Sequence, residues 1–185
     1  VAGGGGGGGA DPKAAAIATI SAYDGTNTAP TAADYAAAGV TGVTAANLAA
    51  VNSAVATLPT SATDTPAEIQ AAVAAYTAIL ANADGTDNVA TGAGPTDAQY
   101  AAVGVTGVDT PAETNLLGDV IDTKASTAVD SVAELQTLAD AVAAVMAAAN
   151  SADGNATGGE VSLTQLQALG ITGVTADNLA AVQAA

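Results

Sequence analysis

Apolar residues recur along this chain at helical spacing, in short runs that each begin at a polar cap. Leu48, Val51, Val55 and Leu58 fall three, four and three residues apart, which predicts a helix with a narrow seam. Ile69, Val73, Tyr76 and Leu80 mark a longer helix, and Leu135, Leu138, Val142 and Val145 another. Thr31 with Asp34, Thr65 with Glu68, Thr96 with Gln99, Ser131 with Glu134 and Ser162 with Gln165 each have capping-box spacing. Pro12, Pro66 and Pro111 stand where a first helical residue would be, a position that tolerates proline. No segment alternates with the two-residue period of a strand over a useful length. The expectation is an all-α fold with about nine helices and no significant sheet.

A five-residue phrase punctuates these helices three times. It reads Gly39-Val40-Thr41-Gly42-Val43, then Gly104-Val105-Thr106-Gly107-Val108, then Gly170-Ile171-Thr172-Gly173-Val174, at intervals of 65 and 66 residues. Gly39, Gly104 and Gly170 suit the left-handed position just past a helix end, where a Cβ would clash. The Schellman motif then calls for an apolar contact across the glycine. Val40 with Tyr35, Val105 with Tyr100 and Ile171 with Leu166 supply it. The far end of the phrase reads as a helix start, with Thr44 and Thr175 as caps and Val43 and Val174 stapling onto Leu48 and Leu179. In the second copy the cap moves to Thr110.

These intervals imply a repeat of about 66 residues holding a short, a medium and a long helix, suited to a small three-helix bundle. The division expected is a glycine-rich segment over 1–10, a partial repeat over 11–23 that matches the end of a long helix, repeats over 24–83 and 84–152, and a partial repeat over 153–185. The chain thus opens in mid-repeat, with Ile17 and Ile20 on one helical face, and closes on a medium helix bearing Leu179 and Val182. Those four residues are expected to meet between chains. Contact of that kind is head-to-tail and builds an open filament unless it closes into a ring. Gly3, Gly4, Gly5, Gly6, Gly7, Gly8 and Gly9 read either as a flexible tail or as backbone lying in a groove of a neighbouring chain, which would make them part of the same interface.

Composition narrows the function. Half the residues are hydrophobic but only 2% are aromatic, and alanine dominates. Alanine favours helix yet buries little surface, so cores should be thin and dependent on neighbours. Eighteen acidic residues face two lysines, Lys13 and Lys124, for a net charge of −16. Phosphate binding needs Lys and Arg, so nucleic acid is excluded as a partner, and an anionic membrane surface is disfavoured. The longest uninterrupted apolar stretch, Ala141 to Ala149, is shorter than the roughly 18 residues of a spanning helix. The chain begins at valine without a signal peptide, which reads as a processed or excised piece.

Catalytic chemistry finds few carriers. There is no cysteine and no histidine, hence no disulfide, zinc site, thiol or imidazole catalyst. Glu68, Glu113 and Glu134 each sit three residues past a Thr or Ser and read as caps. Glu160 has no evident partner. The loops Asp84 to Asn88 and Asp153 to Asn155 offer hard oxygen ligands to calcium, without the spacing of an EF-hand, and read equally as Asx-turns. Asn155-Ala156-Thr157 matches a glycosylation sequon. No cofactor is implied, and the reading is non-enzymatic.

The stretches Gly-Val-Thr-Gly-Val-Thr-Ala-Ala-Asn-Leu (39–48), Asp-Thr-Pro-Ala-Glu-Ile-Gln (64–70) and Gly-Ile-Thr-Gly-Val-Thr-Ala-Asp-Asn-Leu (170–179) resemble the tandem helical repeats of large bacterial cell-surface adhesins and biofilm-matrix proteins. That resemblance covers about residues 11 to 185 and implies an extracellular, structural role with no catalytic residue. The expected function is a subunit of a surface fibre built head-to-tail from copies of itself. A monomeric stalk segment and a calcium-dependent binding module are the alternatives.

Overall fold

The computed structural model describes residues 11–90, 92–149 and 161–183. Among them are nine α-helices and no strand; Asp84 and Ala125 form an isolated antiparallel bridge. The short helices are α2 (Ala32–Ala37), α5 (Asp97–Ala102) and α8 (Leu163–Ala168). The medium ones are α3 (Leu48–Thr57) and α6 (Pro111–Asp122), and α9 (Leu179–Gln183) takes the matching place in the third round with five residues. The long ones are α4 (Pro66–Asn82) and α7 (Val132–Ala149), and α1 (Pro12–Ser21) precedes them all. Single 3-10 turns, Thr60–Ala62 and Ser126–Ala128, lead into α4 and α7.

Each helix start follows its local chemistry. The Thr or Ser hydroxyl accepts the backbone N–H three residues on, while the carboxylate or amide there accepts the cap's own N–H. This reciprocal pair occurs at Thr31–Asp34, Thr65–Glu68, Thr96–Gln99, Thr110–Glu113 and Ser162–Gln165, and at Ser131–Glu134. The three short helices end on Schellman turns. Gly39, Gly104 and Gly170 have φ of 83°, 92° and 83°. The next residue's N–H reaches back to the carbonyl of Tyr35, Tyr100 or Leu166 at 2.9, 3.0 and 3.0 Å.

Two helix starts depart from expectation. Thr44 and Thr175 do not cap α3 and α9, which begin four residues later. Asn47 and Asn178 take the local bonds instead. Each accepts the N–H of the threonine three residues earlier, at 2.7 Å, and donates to the carbonyl of Gly42 or Gly173. An asparagine carries its donor and acceptor on separate atoms of one planar amide, so it spans from the threonine N–H to the glycine carbonyl and closes the turn at both ends.

Two apolar clusters fill the interior. The first joins Ala16 and Ile20 of α1, Tyr35 of α2, Val40, Val51 and Val55 of α3, and Ile69 and Val73 of α4. The second takes Ala50 and Ala54 of α3, Tyr76 and Ile79 of α4, Tyr100 and Val105, Leu117 and Ile121 of α6, and Leu135, Leu138 and Val142 of α7. Helices α3 and α4 therefore feed both clusters, and the packing does not divide at residue 84. The pair α2–α3 packs between α1 and α4, and α5–α6 between α4 and α7, while α8 packs on α7. Val108 of the second phrase is buried in the second cluster.

Helix α7 gathers more apolar length than the uninterrupted stretch in the sequence. Its 18 residues have a mean hydropathy of 1.4, enough by length and composition to cross a membrane. Here its inward face lies in the second cluster, and Glu134 and Asp140 interrupt it. Among the described residues no other helix reaches that length and apolarity.

Three tyrosines with fully buried side chains anchor the clusters. Burial pushes their hydroxyls far above the ordinary phenol range, so they stay neutral. Tyr35 donates to Asn52 Oδ1 at 2.6 Å, and Asn52 in turn donates to the Pro30 carbonyl at 2.9 Å. Tyr76 donates to the Val129 carbonyl at 3.1 Å, joining α4 to the turn before α7. Among the described residues the Tyr100 hydroxyl has no hydrogen-bond partner. Its neighbour at the position matching Asn52 is Gly118, which has no side chain to offer. Tyr35→Phe strands the buried Asn52 oxygen and should cost about 1–3 kcal/mol in denaturant unfolding. Tyr100→Phe removes an unsatisfied group and should be neutral or stabilising, within about 1 kcal/mol.

Candidate functional site

The feature that marks this chain is the coupling between each phrase and a long helix. Thr41 donates its backbone N–H to Gln70 Oε1 at 2.8 Å, and Gln70 Nε2 donates to the Thr41 carbonyl at 3.0 Å. The same pair of bonds links Thr106 and Gln136, at 3.0 and 3.0 Å. A primary amide matches one peptide unit edge to edge, so the clasp sets how far the long helix slides along the phrase. Both glutamines occupy the fifth helical position, directly after Glu-Ile or Glu-Leu. That shared spacing is the signal from which the clasp could have been read; composition and capping alone did not single it out. A second link exists only for the first phrase, where Asn47 Nδ2 donates to Thr77 Oγ1 of α4 at 3.2 Å.

The third phrase has the same conformation without that cover. Gly170 and Gly173 keep φ near 84° and Asn178 closes its turn. Gln183 donates to the Val161 carbonyl at 3.0 Å, as Asn52 does to Pro30. Yet Val182 is 44% exposed where the matching Val51 is 0%, and Ile171 is 43% exposed where Val40 is 3%. Among the described residues Thr172 forms no backbone clasp. Helix α8 packs on α7, and Lys124 of the preceding loop donates to the Ala168 carbonyl at 2.8 Å, placing a cation at the C-terminal end of α8. Helix α9 has no buried residue.

The residues expected to meet between chains therefore part ways. Leu179 is half-buried and Val182 lies open at the surface. Ile20 is fully buried inside its own chain, and Ile17 packs beside it on the same cluster. As an external contact Ile20 is corrected: α4 already supplies, through Ile69 and Val73, the apolar surface that α1, α2 and α3 need. Residues Gly3 to Gly9 lie outside the described residues.

Carboxylates are occupied locally. Thr65, Thr110 and Thr31 hold Glu68, Glu113 and Asp34 below the usual carboxylate range through their hydroxyls, with backbone N–H groups adding to the effect. Asp84 is lowered in the same way, first by the Thr86 hydroxyl and then by Asn88, which makes the expected calcium loop an Asx-turn closed on itself. The loop from 153 to 155, the sequon and Glu160 lie outside the described residues. Among those described, no three acidic residues come together as a metal site. Asp122 is fully buried and accepts the N–H groups of Asn88 and Val89, both at 2.8 Å, pinning this loop to α6. A cleft of about 230 Å³ beside α6 is lined by Pro95, Asp97, Asp109 and Asn115, and its only ionisable groups are the two aspartates.

The chain matches no protein-family profile, no curated protein and no solved structure.

A depressed folded-state pKa contributes stability above the ordinary carboxylate value and loses it as pH falls through the folded value. For Glu113, whose ordinary value is 4.5, that window lies below about pH 4.5. Glu113→Gln keeps an acceptor but removes the charge. Thermal melts should show the variant less stable than the parent at pH 7, with the gap narrowing as pH falls below about 4.5 and closing at strongly acidic pH. A gap that persists there would assign the effect to something other than the carboxylate's charge.

Proposed function

We propose that this chain is a non-enzymatic, extracellular structural protein, a subunit of a bacterial surface fibre whose copies join end to end by helix complementation. One observation carries the reading: the third phrase presents the apolar positions that α4 and α7 cover in the first two, and it presents them to solvent. Val182 and Ile171 are more than 40% exposed in a chain whose matching positions are closed. Side chains of that size sit more favourably under a covering helix, by about 1.5–3 kcal/mol for each when fully buried. The resemblance to repeats of surface adhesins and biofilm-matrix proteins, the acidic surface and the lack of cysteine support an extracellular setting.

A second reading, a stalk segment stacked on further repeats without polymerising, is favoured by the burial of Ile20. Helix α1 is engaged within its own chain, so it does not offer the mating half of a joint at that end. Both readings assign the chain mechanical work, with stiffness from shared cores in which each long helix serves two neighbours. The calcium-dependent module has least support, since the Asp84 loop spends its oxygens on its own backbone and side chains.

Negative-stain micrographs of the purified chain separate the first two. Fibres are expected from the parent, and Leu179→Asp with Val182→Asp should abolish them while shifting the melting temperature by less than about 3 °C, because neither site is fully buried. Particles that stay monodisperse at high concentration in the parent would leave the stalk segment standing and remove the fibre.

A further inference from the structure

The third phrase does more than expose apolar surface: it specifies what should cover it. In the first phrase the covering helix is read at three points. Gln70 clasps the Thr41 backbone, Thr77 accepts from Asn47, and Val73 stands beside Gly42, near enough that a Cβ added there would touch it. In the second phrase only the glutamine survives, because no asparagine matches Asn47 there and the position seven beyond Gln136 is Ala143. The third phrase restores the first pattern. Thr172 stands where Thr41 does, Gly173 where Gly42 does, and Asn178 where Asn47 does. Asn178 donates to Gly173, as Asn47 does to Gly42, and is exposed where Asn47 is buried.

We propose that the face formed by Ile171, Thr172, Gly173, Asn178 and Val182 is a docking site for a partner helix of α4 chemistry. That helix is alanine-rich and capped by Thr or Ser. It carries glutamine at its fifth position to clasp Thr172, valine three residues later over Gly173, and threonine seven residues after the glutamine to meet Asn178. Its first-turn glutamate satisfies its own cap, as Glu68 does. Three spaced contacts fix both register and direction, so a helix of α7 chemistry, lacking the threonine, is a poorer partner. The proposal deepens the structural reading above and rests on it only for the meaning of the joint, since docking needs no fibre.

The test uses the full chain and a labelled synthetic peptide spanning residues 64–83, closed by a lactam between positions 67 and 71, both exposed in α4. Fluorescence anisotropy should show saturable one-to-one binding, and hydrogen exchange should show the Thr172 amide slowed by the peptide. Gln70→Ala in the peptide should weaken binding about five- to tenfold, and a peptide spanning 130–149 should bind about threefold or more weakly. Val182→Asp in the chain should reduce affinity at least about tenfold with its own melting temperature unchanged. No saturation up to millimolar peptide overturns the proposal, as does binding indifferent to both Gln70→Ala and Val182→Asp. Protection at Thr41 in place of Thr172 would also overturn it, since the peptide would then be replacing the chain's own α4. Docking without fibres in micrographs would sink the polymer alone, and fibres without docking would sink this site alone.

Discussion

Thinness of the core is the constraint from which the rest of the structure follows. With no Phe or Trp and a majority of apolar positions filled by alanine, a short and a medium helix together cannot close their own interior. They need a further helix on each side. Where both are present, as with α1 and α4 around α2 and α3, Tyr35, Val51 and Val55 are sealed. Where only the preceding one is present, as around α8 and α9, Leu166 is covered while Val182 is open. The difference lies in packing partners, because the backbone of the phrase is the same in both places.

A thin core also makes register a problem. Alanine faces are nearly featureless, so one long helix can slide along another with little penalty from packing. Directional groups resolve this. The glutamine clasps on Thr41 and Thr106, the Tyr76 bond to Val129 and the Ser53 hydroxyl that accepts the Val132 N–H each tie one element to another at a single position. Each adds little net stability, but a shifted arrangement would leave the buried Tyr76 hydroxyl unmatched and would exchange the solvent-facing clasps for water.

Charge fits the same picture. Sixteen net negative charges repel one another at the surface, and the capping carboxylates place several at helix N-termini, where the backbone favours them. The two lysines sit at the opposite kind of site: Lys124 bonds the end of α8, and Lys13 lies against Gly39 at the end of α2. Rare cations have gone to helix C-termini, where orphaned carbonyls gather, and not to a basic surface patch.

Much of this was legible along the chain. The all-α class, the helix order, the six capping boxes and the three glycine stops follow from contacts within a few residues, which local chemistry alone determines. The starts of α3 and α9 lie later than the threonines suggest because Asn47 and Asn178 accept the threonine's own N–H and donate to the glycine carbonyl five residues back, closing a turn ahead of the helix. The clasp glutamines, the pinning of a loop by Asp122 and the orphaned Tyr100 hydroxyl depend on partners some 18 to 34 residues away or on a side chain missing at Gly118, which no local pattern records. Ile20 and Val182 make the division plain: both read as apolar helix positions near an end of the chain, and periodicity treats them alike. Only the folded arrangement decides that α4 reaches back over the first while no described helix reaches the second, because burial is a property of what lies across a face and not of the residue that bears it.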